Sequence, residues 1–330
     1  MTDEQAINFN LFGDDLFGDP IQQKAGAVAR AFVWTPFSVL DARQGAWAER
    51  KRAWLALGIK GEEGRQENLT WNSKYVKNIN YYRPSSCITA GAISTSVFDP
   101  TLCELMYRWF CPPGGRVLDP FAGESTKGLV AGYLGYGYTG LELRQEQVDE
   151  NLTQAERLEL QTQPVWLAGD SVKLDELLEE DDKYDLIFTS PPYFNLEVYS
   201  GEEADGSAAI NYEDFMQWYE NIFAQSVHHL KGQRFVVVKV GEIRDEAGFY
   251  RNFVGDNVRL FAAMGCRYYN EAILITAVGS LPIRAGRQFN AYRKLGKAHQ
   301  NILVFFYGGD LEKIKSSFGE VQVATTDSED

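Results

Sequence analysis

The chain has 330 residues, 45% of them hydrophobic, and a formal net charge of −14, which is enough to bury a sizeable core in one large domain or in a domain with a smaller lobe. No apolar run approaches the about 20 residues that cross a bilayer, and "MTDEQAINFN" lacks the basic and apolar regions of a signal peptide, so a cytoplasmic protein is expected. The acidic balance argues against a nucleic-acid partner only if charge is spread evenly, and it is not.

Residues 1–20 contain acids and no base, and repeat "LFGD" at Leu11 to Asp14 and Leu16 to Asp19; they read as a mobile acidic segment. Residues 21–96 mix aromatics, bases and one plausible helix, and read as a small N-terminal lobe carrying Arg43, Arg50, Lys51, Arg52, Lys74, Tyr75, Lys77, Asn78 and Tyr81. From about residue 97 the pattern alternates. "TLCELMYRWF" spaces Leu102, Leu105, Met106 and Trp109 as a helix, ended by "CPPGG". A strand "RVLDPFAG", a helix "STKGLVAGYLG", a strand "YGYTGLEL" and a helix "QEQVDENLTQAERLEL" follow, the last with Val148, Leu152, Ala155 and Leu158 along one side. "VWLAGD" and "YDLIFTS" are strands separated by the helical "KLDELLEE".

The helix "YEDFMQWYENIFAQSVHHL" leads to the strand "FVVVKVG", and a helix around "NVRLFAAMG" leads to "AILIT". A basic loop at 279–299, with Arg284, Arg287, Arg293, Lys294 and Lys297 and no acid, precedes the strand "NILVFF" and a tail at 310–330. Seven strands, the first five joined through helices, predict a doubly wound α/β sheet whose ligands sit beyond the strands' carboxyl ends. With no clear helix between them, the last two strands are expected to pair antiparallel.

Cys87, Cys103, Cys111 and Cys266 are scattered and read as reduced, packed thiols; with three histidines in all, two of them the neighbours His228 and His229, no metal site is expected.

The carboxyl ends of the strands carry the chemistry. "VLDPFAGEST" puts a glycine turn between a strand and a helix, where Gly123 permits close backbone approach and unpaired amides suit an anionic group. About twenty residues on, Glu142 ends the next strand, where an acid can bind ribose hydroxyls, with Glu146 beside it. Asp170 ends the third strand, placed for an adenine amine or simply for a turn. The fourth strand runs into "TSPPY", where two prolines end the hydrogen-bonding ladder.

These motifs, in this order, resemble those of the S-adenosylmethionine-dependent methyltransferases, in particular the DNA amino-methyltransferases that make N4-methylcytosine or N6-methyladenine. Asp119, Pro120, Phe121 and Gly123 match the family's Asp-Pro-Phe-x-Gly, and Ser190, Pro191, Pro192 and Tyr193 match its Pro-Pro-aromatic motif. The resemblance covers about residues 97–307 of a domain placed at 97–309, and phage-encoded orphan enzymes look similar around "PFSVLDARQG" and "ERKRAWLALGI" as well. It departs at Glu124, where the family usually has glycine; a carboxylate there would crowd the methionine end of the cofactor or pair with its ammonium.

The resemblance implies a Rossmann-like, seven-stranded methyltransferase sheet, mostly parallel with an antiparallel last strand. It implies S-adenosylmethionine as cofactor and double-stranded DNA as partner, in a bacterial or phage-infected cell. Cofactor contacts would come from Asp119, Pro120, Phe121, Ala122, Gly123, Glu124, Ser125, Glu142 and Asp170. Ser190 and the Pro191 carbonyl would accept from the two N–H groups of a base amine, freeing its lone pair, while Tyr193 stacks on a base swung out of the helix. Glu197, Tyr199 and Glu242 are placed to line the pocket, and Arg284, Arg287 and Arg293 to contact the DNA. Serine in the motif favours cytosine N4 over adenine N6. Related Pro-Pro motifs serve RNA bases and a protein amide, and an inactive DNA-binding relative would keep the same outline.

Overall fold

Alternate residues along the central strands feed two separate cores, which is the signature of a sheet covered on both faces. In this computed structural model the described residues are 28, 31–61, 98–194, 211–276 and 281–321, the side chains of 281, 283 and 284 apart. The acidic segment 1–20, much of the lobe at 21–96 (21–27, 29–30 and 62–96, with Lys74, Tyr75, Lys77, Asn78 and Tyr81), residue 97, the stretch 195–210 with Glu197 and Tyr199, 277–280 and 322–330 lie outside them.

Leu186 and Phe188 of β5 (Tyr184–Thr189) join the core under the first helices, whereas Tyr184 and Ile187 join the opposite one. The same alternation holds in β6 (Leu230–Val240), where Phe235 and Val237 face one way and Val236, Val238 and Val240 the other. The remaining strands are β1 (Val39–Asp41), β2 (Arg116–Asp119), β3 (Gly137–Glu142), β4 (Val165–Ala168), β7 (Cys266–Ile275) and β8 (His299–Tyr307). They form one sheet in the order β1-β7-β8-β6-β5-β2-β3-β4. All neighbours are parallel except β8, which runs antiparallel to both β6 and β7.

One layer holds α1 (Gly45–Ala56), α2 (Pro100–Phe110), α3 (Thr126–Tyr133) and α4 (Gln145–Glu156); the other holds α5 (Leu174–Leu177), α6 (Tyr212–His228) and α7 (Phe253–Ala263). Asp99 starts α2 by accepting from the Thr101 amide, with Pro100 at the first helical position.

The structure corrects the sequence reading in three places. Among the described residues the sheet has eight strands, because Val39–Asp41 of the N-terminal region pairs in parallel with Ile273, Leu274 and Ile275 of β7. Helix α1 is locked to α2 beside it: Arg50 Nε and Nη2 and Trp54 Nε1 all donate to the fully buried Glu104. The basic segment between β7 and β8 is helix α8 (Leu281–Tyr292), whose Pro282 near the start is a helix-opening signal hidden by the charge pattern. In α4 Val148 and Ala155 are buried but Leu152 is 40% exposed, and the inward face is completed by Gln147, Asn151 and Gln154. A ninth helix, α9 (Glu312–Phe318), ends the described chain by packing Phe318 against Phe235.

Candidate active site

Because β1 to β7 are parallel and β8 is reversed, one sheet edge collects the ends of β2 to β6 and the beginning of β8. The turn after β2 is fastened by side chains at three of its carbonyls. Ser171 Oγ donates to the Pro120 carbonyl (2.6 Å), Lys127 Nζ to that of Phe121 (3.0 Å) and Asn151 Nδ2 to that of Gly123 (2.9 Å). The Ala122 amide meanwhile donates to the Leu141 carbonyl of β3. Gly123 has φ +59°, and a Cβ added there would meet nothing within 4 Å, so open space lies directly in front of it.

Asp119 is fully buried, and its carboxylate is taken up by the scaffold. It accepts from Thr189 Oγ1 of β5 (2.6 Å), Tyr138 Oη of β3 (2.8 Å) and the Phe121 amide (3.2 Å), and pairs with Lys127 Nζ at 2.5 Å. It therefore ties three strands and a helix together and leaves no oxygen for a ligand. Glu124 is buried as well. Its carboxylate accepts from the Thr126 amide (2.7 Å), Thr126 Oγ1 (2.6 Å) and the Phe98 amide (3.0 Å), which makes it a cap for α3 and not a partner for a cofactor ammonium.

Glu142 stands at the end of β3, where Arg144 holds it through its amide (3.1 Å) and guanidinium (3.6 Å). Burial pushes its carboxyl above the ordinary value of 4.5, opposed by the Arg144 amide and charge and by the Gly123 amide. Asp170 Oδ1 accepts from the Val172 amide (3.0 Å), capping a short helical turn. Ser125 Oγ donates to Gln154 Oε1 at 2.9 Å, so its hydroxyl also braces the turn.

The register Thr189↔Val238 carries Ser190 next to Lys239, and Ser190 Oγ donates to the Lys239 carbonyl at 3.3 Å. Pro191 is buried, and Pro192 and Tyr193 are half-buried. The Tyr193 ring meets Phe253 edge-on at 6.4 Å, and its hydroxyl accepts from Gln300 Nε2 of β8 at 3.2 Å. Glu242, expected to line the pocket, instead caps α7: it accepts from the Phe253 and Val254 amides, both at 3.1 Å. Glu197 and Tyr199 lie outside the described residues.

Arg284 is placed on α8 by its backbone alone, Arg287 is exposed on the same helix, and Arg293 follows it in the left-handed conformation with its guanidinium over Phe289. The neighbouring turn at 244–250 was not singled out in the sequence. It adds exposed Phe249 and Tyr250, the latter under the Arg244 guanidinium at 3.9 Å, and its Gly248 lies against Lys294. Gln300, Lys239, Asn151 and Gln154 are further residues the sequence reading missed; Lys239 contributes its backbone carbonyl and the other three their side-chain amides, placements that only the folded register makes visible.

No family model matches the chain, and no curated protein matches it. Among solved structures it is similar to TrmN from Thermus thermophilus, at 15% identity over 64% of this chain and 49% of that one, with a TM-score of 0.42. A TehB-like SAM-dependent methyltransferase from Corynebacterium glutamicum gives 16% identity, 71% and 95% coverage and a TM-score of 0.39. A candidate DNA modification methylase, also from Thermus thermophilus, gives 17% identity, 43% and 53% coverage and a TM-score of 0.32. The chain thus spans about half the length of TrmN. Its own strand order, parallel but for the reversed β8, is that of a Rossmann-like α/β sheet with a layer of helices on each face.

Proposed function

We propose that the protein is an S-adenosylmethionine-dependent methyltransferase acting on the exocyclic amine of a base in double-stranded DNA, with cytosine N4 as the target. The observation that carries this reading is Ser190 at the carboxyl end of β5, its proton given to the Lys239 carbonyl at 3.3 Å and its lone pairs left to accept. A base amine has two N–H donors and a lone pair delocalised into the ring. Ser190 Oγ and the Pro191 carbonyl accept from those donors and turn the lone pair out of the ring plane, while the fixed φ of proline holds the carbonyl in place. Tyr193, steadied by Phe253 and Gln300, offers its face to the base.

The residues after β2, β3 and β4 fit the cofactor. The open space at Gly123 admits a ligand close to the backbone, Glu142 is the acceptor for ribose hydroxyls, and Asp170 Oδ2 for an adenine amine. Bound there, S-adenosylmethionine supplies an electrophilic methyl group. Asp119 and Glu124 serve indirectly, by fixing the turn that receives it. Arg287, Arg293, Lys294 and the aromatics of 244–250 and α8 form a basic, aromatic surface suited to a DNA backbone despite the acidic total.

The test is to offer methyl-labelled cofactor in parallel to double-stranded DNA, RNA and protein, and to resolve the labelled nucleosides by mass spectrometry. N4-methylcytosine supports the reading in full, and N6-methyladenine moves the target base while keeping the substrate class. Label confined to RNA or protein overturns the DNA assignment. Calorimetry without cofactor binding at millimolar concentration overturns the enzyme.

A further inference from the structure

The two adjacent histidines, read in the sequence as having no metal to hold, meet a carboxylate 54 positions away from His229. We propose that Asp175, His228 and His229 form a binding site for one divalent transition-metal ion of the zinc class, separate from the catalytic edge of the sheet.

The arrangement follows from helix geometry. Gln225, His228 and His229 stand at i, i+3 and i+4 at the end of α6, so all three share a face. Gln225 clamps the start of α5 onto that face: its Oε1 accepts from the Asp175 amide at 2.9 Å and its Nε2 donates to the Val172 carbonyl at 2.6 Å. Asp175 Oδ1 then lies 3.0 Å from His229 Nε2 and 3.5 Å from His228 Nδ1, and one donor atom of each residue falls within 4.8 Å of the others. Ligand bonds of about 2.0–2.1 Å in a tetrahedral zinc site put neighbouring donor atoms about 3.3 Å apart. The two observed spacings straddle that length.

His229 is oriented as a ligand. It is 1% exposed, and its Nδ1 is 2.9 Å from the Asp182 carbonyl, which fixes the proton on Nδ1 and turns the Nε2 lone pair toward the Asp175 carboxylate. A lone pair facing a carboxylate at 3.0 Å requires a cation between them, either a shared proton or a metal ion. His228 and Asp175 are 60% and 49% exposed, so a fourth position opens to water. Two imidazoles and one carboxylate suit zinc, nickel or copper and not the all-oxygen preference of calcium or magnesium. The end of α6 adds the negative pole of the helix dipole.

The site lies at the amino end of β5, where the Tyr184 amide donates to the His229 carbonyl, and Ser190 follows the carboxyl end of the same strand. Cys103, Cys111 and Cys266 are buried and do not compete for added metal.

Calorimetric titration of the untagged full chain with zinc chloride at neutral pH tests this. The expected result is one equivalent bound at micromolar affinity, weakened at least about tenfold in His228→Ala and in Asp175→Asn, with magnesium giving no heat. Cobalt(II) should give the visible bands of a tetrahedral complex in the wild type and lose them in His228→Ala. Zinc should also raise the melting temperature of the wild type and not of His228→Ala, whose exposed position leaves folding intact. No binding at about 100 μM zinc, or equal affinity in wild type and His228→Ala, overturns the site.

Discussion

The hydroxyl of Ser190 has one proton, and it donates it in a hydrogen bond to the Lys239 carbonyl. What remains is an acceptor, which is what a base amine needs. Replacing it by alanine should lower the methyl-transfer rate about tenfold to a hundredfold with cofactor affinity nearly unchanged, read by single-turnover kinetics beside calorimetry. Full turnover in Ser190→Ala would remove the hydroxyl from the mechanism. The letters of a motif give a residue's place along the chain and not the direction of its side chain. Asp119, Glu124 and Glu242 were all readable as ligand contacts, yet each carboxylate is committed to protein donors. Amides at a helix start compete for any acid near them, and for Glu124 and Glu242 they win. Ser190 and Tyr193 follow the end of β5, while their partners Lys239 and Gln300 come from strands far along the chain and left no local trace.

At the scale of elements, the turn between β2 and α3 is rigid because side chains from its neighbours hold it. Gly140 of β3 shows how close that support is: a Cβ there would lie 2.7 Å from Ala122 Cβ and 2.7 Å from the Tyr138 ring. Gly140→Ala should therefore cost about 1–3 kcal/mol in urea unfolding and also weaken cofactor binding, since relief of the clash displaces the turn. Stability lost with cofactor affinity intact would separate the turn from the ligand. Most elements from 97 onward were legible from apolar spacing, because strands and amphipathic helices announce their periods. Helix α4 was legible in extent but not in facing: its inward side uses Gln147, Asn151 and Gln154, amides with hydrogen-bond duties that a hydrophobic pattern does not register. Helix α8 was hidden by its arginines and Gly286, which read as a loop.

For the whole molecule, the far edge of the sheet is held by charge. Asp185 at the start of β5 accepts from the Arg116 amide (3.0 Å), Lys231 Nζ (2.8 Å) and Arg234 Nε (2.9 Å). Burial would raise its carboxyl, but Lys231, the Arg116 amide and Arg234 outweigh it and hold it below the ordinary aspartate value of 3.8. A depressed carboxyl stabilises the fold above that value and loses its contribution as pH falls through the folded value. Stability measured against pH should thus drop on the acid side, and Asp185→Asn should lower it by about 1–3 kcal/mol at neutral pH while flattening the acid limb. An unchanged acid limb would assign acid unfolding to other groups. The two-faced sheet could be foreseen from seven apolar runs; the eighth strand could not, since Val39–Asp41 is three residues whose only claim to be a strand is the free edge of β7.

That N-terminal region also touches the turn between β2 and α3. Lys60 exchanges hydrogen bonds with Gln154, the same side chain that accepts from Ser125, and Phe98 donates to Glu124. The chain from 62 to 97 thus leaves and returns through two residues moored to either side of one turn. Were the proposed cofactor to bind at this turn, reciprocity would require that any change in its affinity caused by a load on Lys60 or Phe98 be matched, by the same factor, in how readily those moorings yield with cofactor bound.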